Sequence, residues 1–172
     1  LGDVYKRQAV ESVDFLSSGF GPEYGRALGG IINLKTRSPK TDRIHGMAFV
    51  DLYNAGGLVE GPIDDKSSFF ASTRYSYIGE VLKKVAEDND DFNLTVAPTF
   101  TDTFLTYERQ ISEKDHFSII AIRSKDELNF VLNQPLENSP QFRGNFYQKT
   151  EFYRIIPRWK RKINDKQTLD IS

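Results

Sequence analysis

Between Ser67 and Tyr77 the chain alternates in character: Phe69, Ala71, Thr73, Tyr75 and Tyr77 fall on one side of an extended segment, and Ser68, Ser72, Arg74 and Ser76 fall on the other, with Phe70 as the exception. Successive side chains of a strand point to opposite faces, so the pattern predicts a strand with one apolar and one polar face. A later segment follows the same grammar, with Tyr153, Ile155, Pro157 and Trp159 opposite Arg154, Arg158 and Lys160. From about Ile44 onward the chain reads as a succession of such segments, near 44–53, 56–63, 67–77, 99–111, 116–125, 147–163 and from 168. In the middle of this series Leu105, Tyr107, Ile120 and Ile122 form an apolar face with Glu108 and Arg123 opposite, or a slip of one residue inverts the assignment.

The connections alternate in length. Short polar turns are predicted at Asp64-Asp65-Lys66, Ser112-Glu113-Lys114-Asp115 and Asn164-Asp165-Lys166-Gln167, about 50 residues apart, and between them lie long connections, Gly79 to Pro98 and Asp126 to Phe146. An antiparallel barrel in an outer membrane has tight turns on its periplasmic side and long loops outside, which is this alternation. On that reading Tyr75 and Tyr77 fall near the outer interface and Trp159 near the inner one, where aromatic girdles belong. An Arg or Lys on the lipid face costs about 2–4 kcal/mol at mid-membrane, so Arg74, Arg123, Arg154, Arg158 and Lys160 are expected to face a wet lumen. There they serve interior salt bridges or give the channel a field that favours an anionic ligand. In the first long connection Ile78, Val81, Leu82 and Val85 recur at helical spacing, predicting a short amphipathic helix.

Composition changes this picture little. The formal charge is −1 with mixed signs, which gives no argument for nucleic acid. The chain has no cysteine, and its two histidines, His45 and His116, are far apart, so neither a thiolate nor an imidazole metal site is expected. Mean hydropathy is −0.50 and no run approaches a membrane helix. Barrel strands, however, expose only alternate residues to lipid, so low hydropathy with 13% aromatics does not argue against one. There is no Ser-His-acid arrangement on a nucleophile elbow, no phosphate loop and no clustered metal ligand, so neither an enzyme nor a cofactor is expected.

Ahead of the strands lies Glu23 to Thr36, EYGRALGGIINLKT. Gly25, Gly29 and Gly30 allow positive φ and a close approach of another wall, and Ile31, Ile32 and Leu34 supply a strand expected to be buried. Val10, Val13 and Phe15 predict a shorter strand before it. The opening octet, Leu1 to Gln8 (LGDVYKRQ), reads as translated adapter sequence, and with the start of a new strand at Thr168 to Ser172 the chain reads as a gene fragment.

The glycine string resembles the closing motif of the plug domain of TonB-dependent outer-membrane receptors. A second string, GGLVEGPIDDKSSFFASTRYSYIGEV, is similar to early barrel strands of such receptors common among Bacteroidota. The resemblance covers Ala9 to Ser172. It implies an all-β chain in which residues 9–40 are the C-terminal end of a plug and residues 41–172 are a partial antiparallel transmembrane β-barrel, with about seven strands of the about 22 that plugged transporters have. It implies active import of a scarce nutrient of the siderophore, cobalamin or oligosaccharide class across the outer membrane of a Gram-negative bacterium. The work would come from the TonB-ExbB-ExbD complex through a TonB box outside this chain, and a surface lipoprotein is a further possible partner beside lipid and the nutrient. Tyr24, Gly25, Gly29, Gly30 and Asn33 match the plug motif and take structural roles at the plug–barrel wall. Arg26 is a candidate latch between plug and barrel, the alternative being a solvated arginine. Two other readings stay open: a passive or adhesive barrel without TonB coupling, and a soluble β-rich carbohydrate-binding domain.

Overall fold

The computed structural model describes residues 10–19, 21, 24–25, 29–87, 94–132 and 144–172. The octet Leu1 to Gln8 and the candidate latch Arg26 lie outside them. The chain divides into two compact units, Leu1–Ser38 and Pro39–Ser172.

The first unit contains an antiparallel pair, β1 (Val10–Leu16) and β2 (Ile31–Thr36), in which Phe15 lies opposite Ile32 and Asp14 opposite Asn33. Gly19 takes φ +69°, a left-handed conformation that favours a residue without Cβ. The expectation that this strand is buried is corrected: Ile32 is 69% and Leu34 54% exposed. Two strands alone cannot cover their own faces.

The second unit is an antiparallel meander in strict chain order: β3 (His45–Val50), β4 (Asn54–Asp64), β5 (Ser67–Ser76), β6 (Leu94–Gln110), β7 (Asp115–Leu132), β8 (Gly144–Asn164) and β9 (Gln167–Ile171). One helix, α1 (Ile78–Glu87), sits between β5 and β6. The protein is therefore all-β and antiparallel among its described residues, apart from α1.

Each of the three predicted short turns is closed by a side chain of its first residue. Asp64 Oδ1 accepts from the Lys66 amide at 2.8 Å and Asn164 Oδ1 from the Lys166 amide at 2.9 Å. At the middle turn Ser112 Oγ accepts from the amides of Lys114 and Asp115. Short polar side chains that bond their own backbone two or three residues on are what make such sequences turn.

At the opposite end the connections are 77–93 and 133–143, and the β3–β4 connection there is only three residues, 51–53. Asp51 holds that short turn, with Oδ1 accepting from the amides of Tyr53 and Asn54, both at 2.8 Å. The second long connection is shorter than the predicted Asp126 to Phe146, because β7 and β8 stay paired up to Leu132 and Gly144. Residues 126–132 and 144–146 read as loop in the sequence, yet the backbone ladder continues through them.

Successive hairpins are staggered. Ser67, Arg109, Phe117, Trp159 and Ile171 lie side by side across β5 to β9. Relative to that row, the β4–β5 turn closes at Ser67 itself, the β6–β7 turn two residues further at Asp115, and the β8–β9 turn four residues further at Gln167. The slip is thus one residue per strand. With about 3.4 Å per residue and about 4.8 Å between strands, the line of turns corresponds to strands inclined by about 35°. Pro98 and Pro157 lie where the neighbouring strand on one side does not reach, as a residue without an amide hydrogen requires.

Candidate functional site

The candidate site is the two-sided surface of this sheet, because directly paired residues share a face and the registers therefore sort every side chain. One side carries Val59, Ala71, Leu105, Ala121 and Ile155 in a single row, flanked by the row Phe69, Tyr107, Ile119 and Pro157 and then, at the short-turn end, by Ser67, Arg109, Phe117, Trp159 and Ile171, where Arg109 pairs with Asp64 at 3.2 Å. This apolar face is open. Ile155 is 74% exposed and Tyr153 65%, and Val59, Leu105, Trp159, Leu169 and Ile171 are also exposed.

The other side carries polar groups, and the buried polar residues of the described sheet lie there with the exception of Ser67. Asn54, Glu60, Ser68, Ser72, Ser76 and Thr106 all lie on it with 6% exposure or less. Among the described residues Leu58 and Phe70 are the only buried hydrophobic side chains, and both sit on this polar side. Phe70 packs edge-on against Phe104, with ring centroids 5.8 Å apart, which accounts for the bulky residue that broke the alternation in β5. The arrangement is the reverse of a water-soluble sheet, which buries its apolar face.

Four of the predicted basic residues share the polar face: Arg74, Arg154, Arg158 and Lys160. Arg74 Nη2 donates to Asp102 Oδ2 at 2.6 Å, both side chains being nearly buried, and Ser124 Oγ donates to the other oxygen of Asp102 at 2.8 Å. The guanidinium also lies 4.1 Å from the centre of the Phe100 ring, a cation–π contact. Arg158 pairs through two nitrogens with Asp170 on β9. Arg154 and Lys160 have no carboxylate within ion-pair distance among the described residues. On the same face Lys40 donates its amide to Glu60 Oε2 at 3.1 Å, with its ammonium 3.8 Å from Oε1, and His116 Nε2 lies 3.6 Å from Glu108. Arg74 and Arg158 are thus paired with carboxylates of neighbouring strands, whereas Arg154 and Lys160 are not.

Arg123 is corrected. It lies opposite Thr103 and Tyr153, on the apolar face, while Ile120 and Ile122 lie on the polar one beside Thr106 and Phe104. The sequence Ile119-Ile120-Ala121-Ile122 is apolar at both parities, so no alternation was available to fix the register there. Arg123 stands above the apolar rows, at the start of a charged band towards the long connections. There it donates to Glu151 Oε1 at 3.2 Å, and Lys149 meets Glu151 at 2.7 Å and Lys125 meets Glu127 at 2.9 Å. Tyr153 and Tyr147 donate to Glu151 and Glu127. Its partner Glu151 and its place above the aliphatic rows set Arg123 apart from the apolar side chains below it.

In the glycine string, the close approach at Gly30 comes from its own hairpin: a Cβ there would stand 2.9 Å from the Phe15 ring. Gly25 and Gly29 have open space around them. Tyr24 donates its amide to Gly21 O at 3.1 Å, closing a turn, and Asn33 is a half-buried residue of β2. Sequence reasoning missed Asp102 and Ser124, the partners of Arg74, and the buried Glu60. Only the β5–β6 and β6–β7 registers bring the first two to Arg74.

No protein-family model matches the chain, and no significant match is found among curated proteins or solved structures. No described helix is long and apolar enough to cross a membrane, which has no bearing on strands.

Proposed function

We propose that this chain forms the end of the plug and the first wall strands of a TonB-dependent receptor that imports a scarce nutrient across the outer membrane of a Gram-negative bacterium. The observation that carries the reading is the inverted sheet: its aliphatic and aromatic rows are open while its serines, glutamate and ion pair are buried. A sheet of that kind is stable only if its open face meets something as apolar as itself, and lipid supplies this along the whole row. The stagger of one residue per strand supports the same reading, since about 35° of inclination falls at the edge of the about 35–45° tilt of membrane barrels. A polar inner wall then lines water or meets a plug, and the strings EYGRALGGIINLKT and GGLVEGPIDDKSSFFASTRYSYIGEV favour the plugged, TonB-driven class over a passive barrel.

The mechanism follows from size and energy supply. A lumen wide enough for a siderophore, cobalamin or an oligosaccharide leaks unless a folded plug fills it. The outer membrane has no ATP and no useful ion gradient, so the TonB-ExbB-ExbD complex must pull on the plug from the periplasm. In this scheme Arg74 and Arg158 serve wall integrity through Asp102 and Asp170, and Arg154 and Lys160 are the cations available to a plug carboxylate or an anionic nutrient.

The test is expression of the intact gene product in a Gram-negative host. The reading predicts recovery in the outer-membrane fraction, a heat-modifiable band on a mildly denaturing gel, and ligand-dependent crosslinking to TonB. Recovery in the soluble fraction without detergent overturns it, and a heat-modifiable barrel without any TonB crosslink moves it to the passive class.

A further inference from the structure

The helix α1 has its apolar positions at Ile78, Val81, Leu82 and Val85, yet Val81 and Leu82 are 43% and 37% exposed. Its start is firmly placed. Tyr77 donates its amide to Tyr53 O at 3.1 Å and its hydroxyl to Asp51 O, and Tyr77 O in turn accepts from the amides of Glu80 and Val81. Tyr75, which belongs to the apolar face of the sheet, donates its hydroxyl to Glu80 Oε1 at 2.6 Å. The Tyr75 hydroxyl thereby holds the first turn of α1 beside the row Tyr75, Thr101, Lys125 and Glu151, above the apolar rows of that face, and α1 also packs against β6. Ten residues make a helix of about 15 Å, far too short to cross a bilayer and long enough to lie on one.

We propose that α1 is an interfacial helix seated on the outer surface of the membrane, with Val81 and Leu82 entering the acyl boundary and Lys84, exposed one turn on, among the phosphate headgroups. This rests on the reading that the apolar sheet face meets lipid, and it extends that surface past the end of β5. Continuity with that face names lipid as the occupant. The exposed pair follows Tyr75 by about two helical turns along the chain, and a strand that ends at an aromatic girdle delivers the next element to headgroup level. Glu80, exposed and bonded by Tyr75 at girdle level, keeps its charge among hydrated headgroups, and Lys84 complements an anionic headgroup layer. The helix then anchors the outer rim of the wall beyond the end of β5.

These 172 residues contain no cysteine, and any cysteine elsewhere in the intact protein is first replaced by serine, so that one introduced thiol carries the label. The intact protein carrying Leu82→Cys, Ile155→Cys or Arg154→Cys is labelled with bimane and reconstituted in phosphatidylcholine vesicles whose chains are brominated either near the headgroup or near the chain ends. At Ile155 the proposal expects quenching, strongest with deep bromine. At Leu82 it expects about two-fold or greater loss of fluorescence with shallow bromine and less with deep, and at Arg154 none. Quenching at Ile155 without quenching at Leu82 overturns the helix proposal and leaves the sheet reading standing. No quenching at Ile155 overturns the sheet reading and this proposal with it. If the Leu82 variant fails to fold, Val81→Cys gives the same readout from the neighbouring position.

Discussion

Replacing Ile155 by arginine separates a lipid face from a merely exposed one. Ile155 is 74% exposed, lies in the row with Ala121 and Leu105, and has no polar group of its own. If that face is bathed in water, the substitution removes little buried area and adds a solvated cation, and surface changes of this sort stay within about 0.5 kcal/mol. If it meets hydrocarbon, the guanidinium costs about 2–4 kcal/mol at mid-membrane. That cost shifts the folded-to-unfolded ratio by about 30- to 700-fold, since each 1.4 kcal/mol is tenfold. The neighbouring control is Ile156→Arg on the polar face, where Arg154 and Arg158 flank it at two-residue spacing and a wet surface limits the repulsion to about 1 kcal/mol or less. The assay is reversible denaturant unfolding of the intact protein folded into phosphatidylcholine vesicles, read by heat-modifiability. The account predicts a large loss for Ile155→Arg and a small one for Ile156→Arg. Equal and negligible losses for both refute the reasoning, and a larger loss for Ile156→Arg reverses the assignment of the two faces.

The wall offers further checks. Gly56→Ala places a Cβ 2.6 Å from Thr73 O and 2.8 Å from the Phe49 ring, so it should destabilise the sheet by about 1–3 kcal/mol, whereas Gly46→Ala, whose nearest contact is 3.7 Å, should be close to neutral in the same unfolding assay. Asp102→Ala removes the carboxylate that meets both Arg74 and Ser124, and breaking a nearly buried pair from one side costs about 3–5 kcal/mol. The double variant Arg74→Met, Asp102→Leu should recover much of that loss, and a double variant less stable than the single one contradicts the pairing. Asp51, in the turn between β3 and β4, has its carboxyl held below its ordinary value of 3.8, chiefly by the amides of Tyr53 and then Asn54. Its folded value is lowered, so its contribution is complete above pH 3.8 and is lost as the pH falls through the depressed folded value. Asp51→Ala should therefore flatten part of the acid limb of a stability–pH profile, and an unchanged limb removes the turn from that account.

The sequence made the strand order legible because alternation in β5 and β8 is unambiguous and because the residues of the short turns bond their own backbone. Phe70, the exception to the pattern, is explained by Phe104 across the β5–β6 pair. What was not legible has a common cause, which is that register is a relation between strands. Ile119 to Ile122 are apolar at both parities, so Arg123 was put with the wrong basic residues until β6 and β8 were laid beside β7. The upper part of β7, Asp126 to Leu132, reads as loop in the sequence although Leu128, Phe130 and Leu132 alternate, and the pairing with β8 is what shows the strand continuing. The buried Glu60 and the Arg74–Asp102–Ser124 cluster were invisible for the same reason. In β1 and β2 the apolar residues predicted a buried hairpin, and Ile32 and Leu34 are exposed because, among the described residues, no further strand or helix of that unit covers the pair.

A nitroxide scan along β8 from Tyr153 to Lys160, one cysteine at a time in the intact protein in vesicles, tests the two-faced wall most directly. Collision with oxygen, which concentrates in lipid, should rise at 153, 155, 157 and 159, and collision with a water-soluble nickel chelate should rise at 154, 156, 158 and 160. Strong nickel collision at every position, or low access to both reagents at the odd ones, would show that the apolar rows meet water or protein instead of lipid, and would contradict the account.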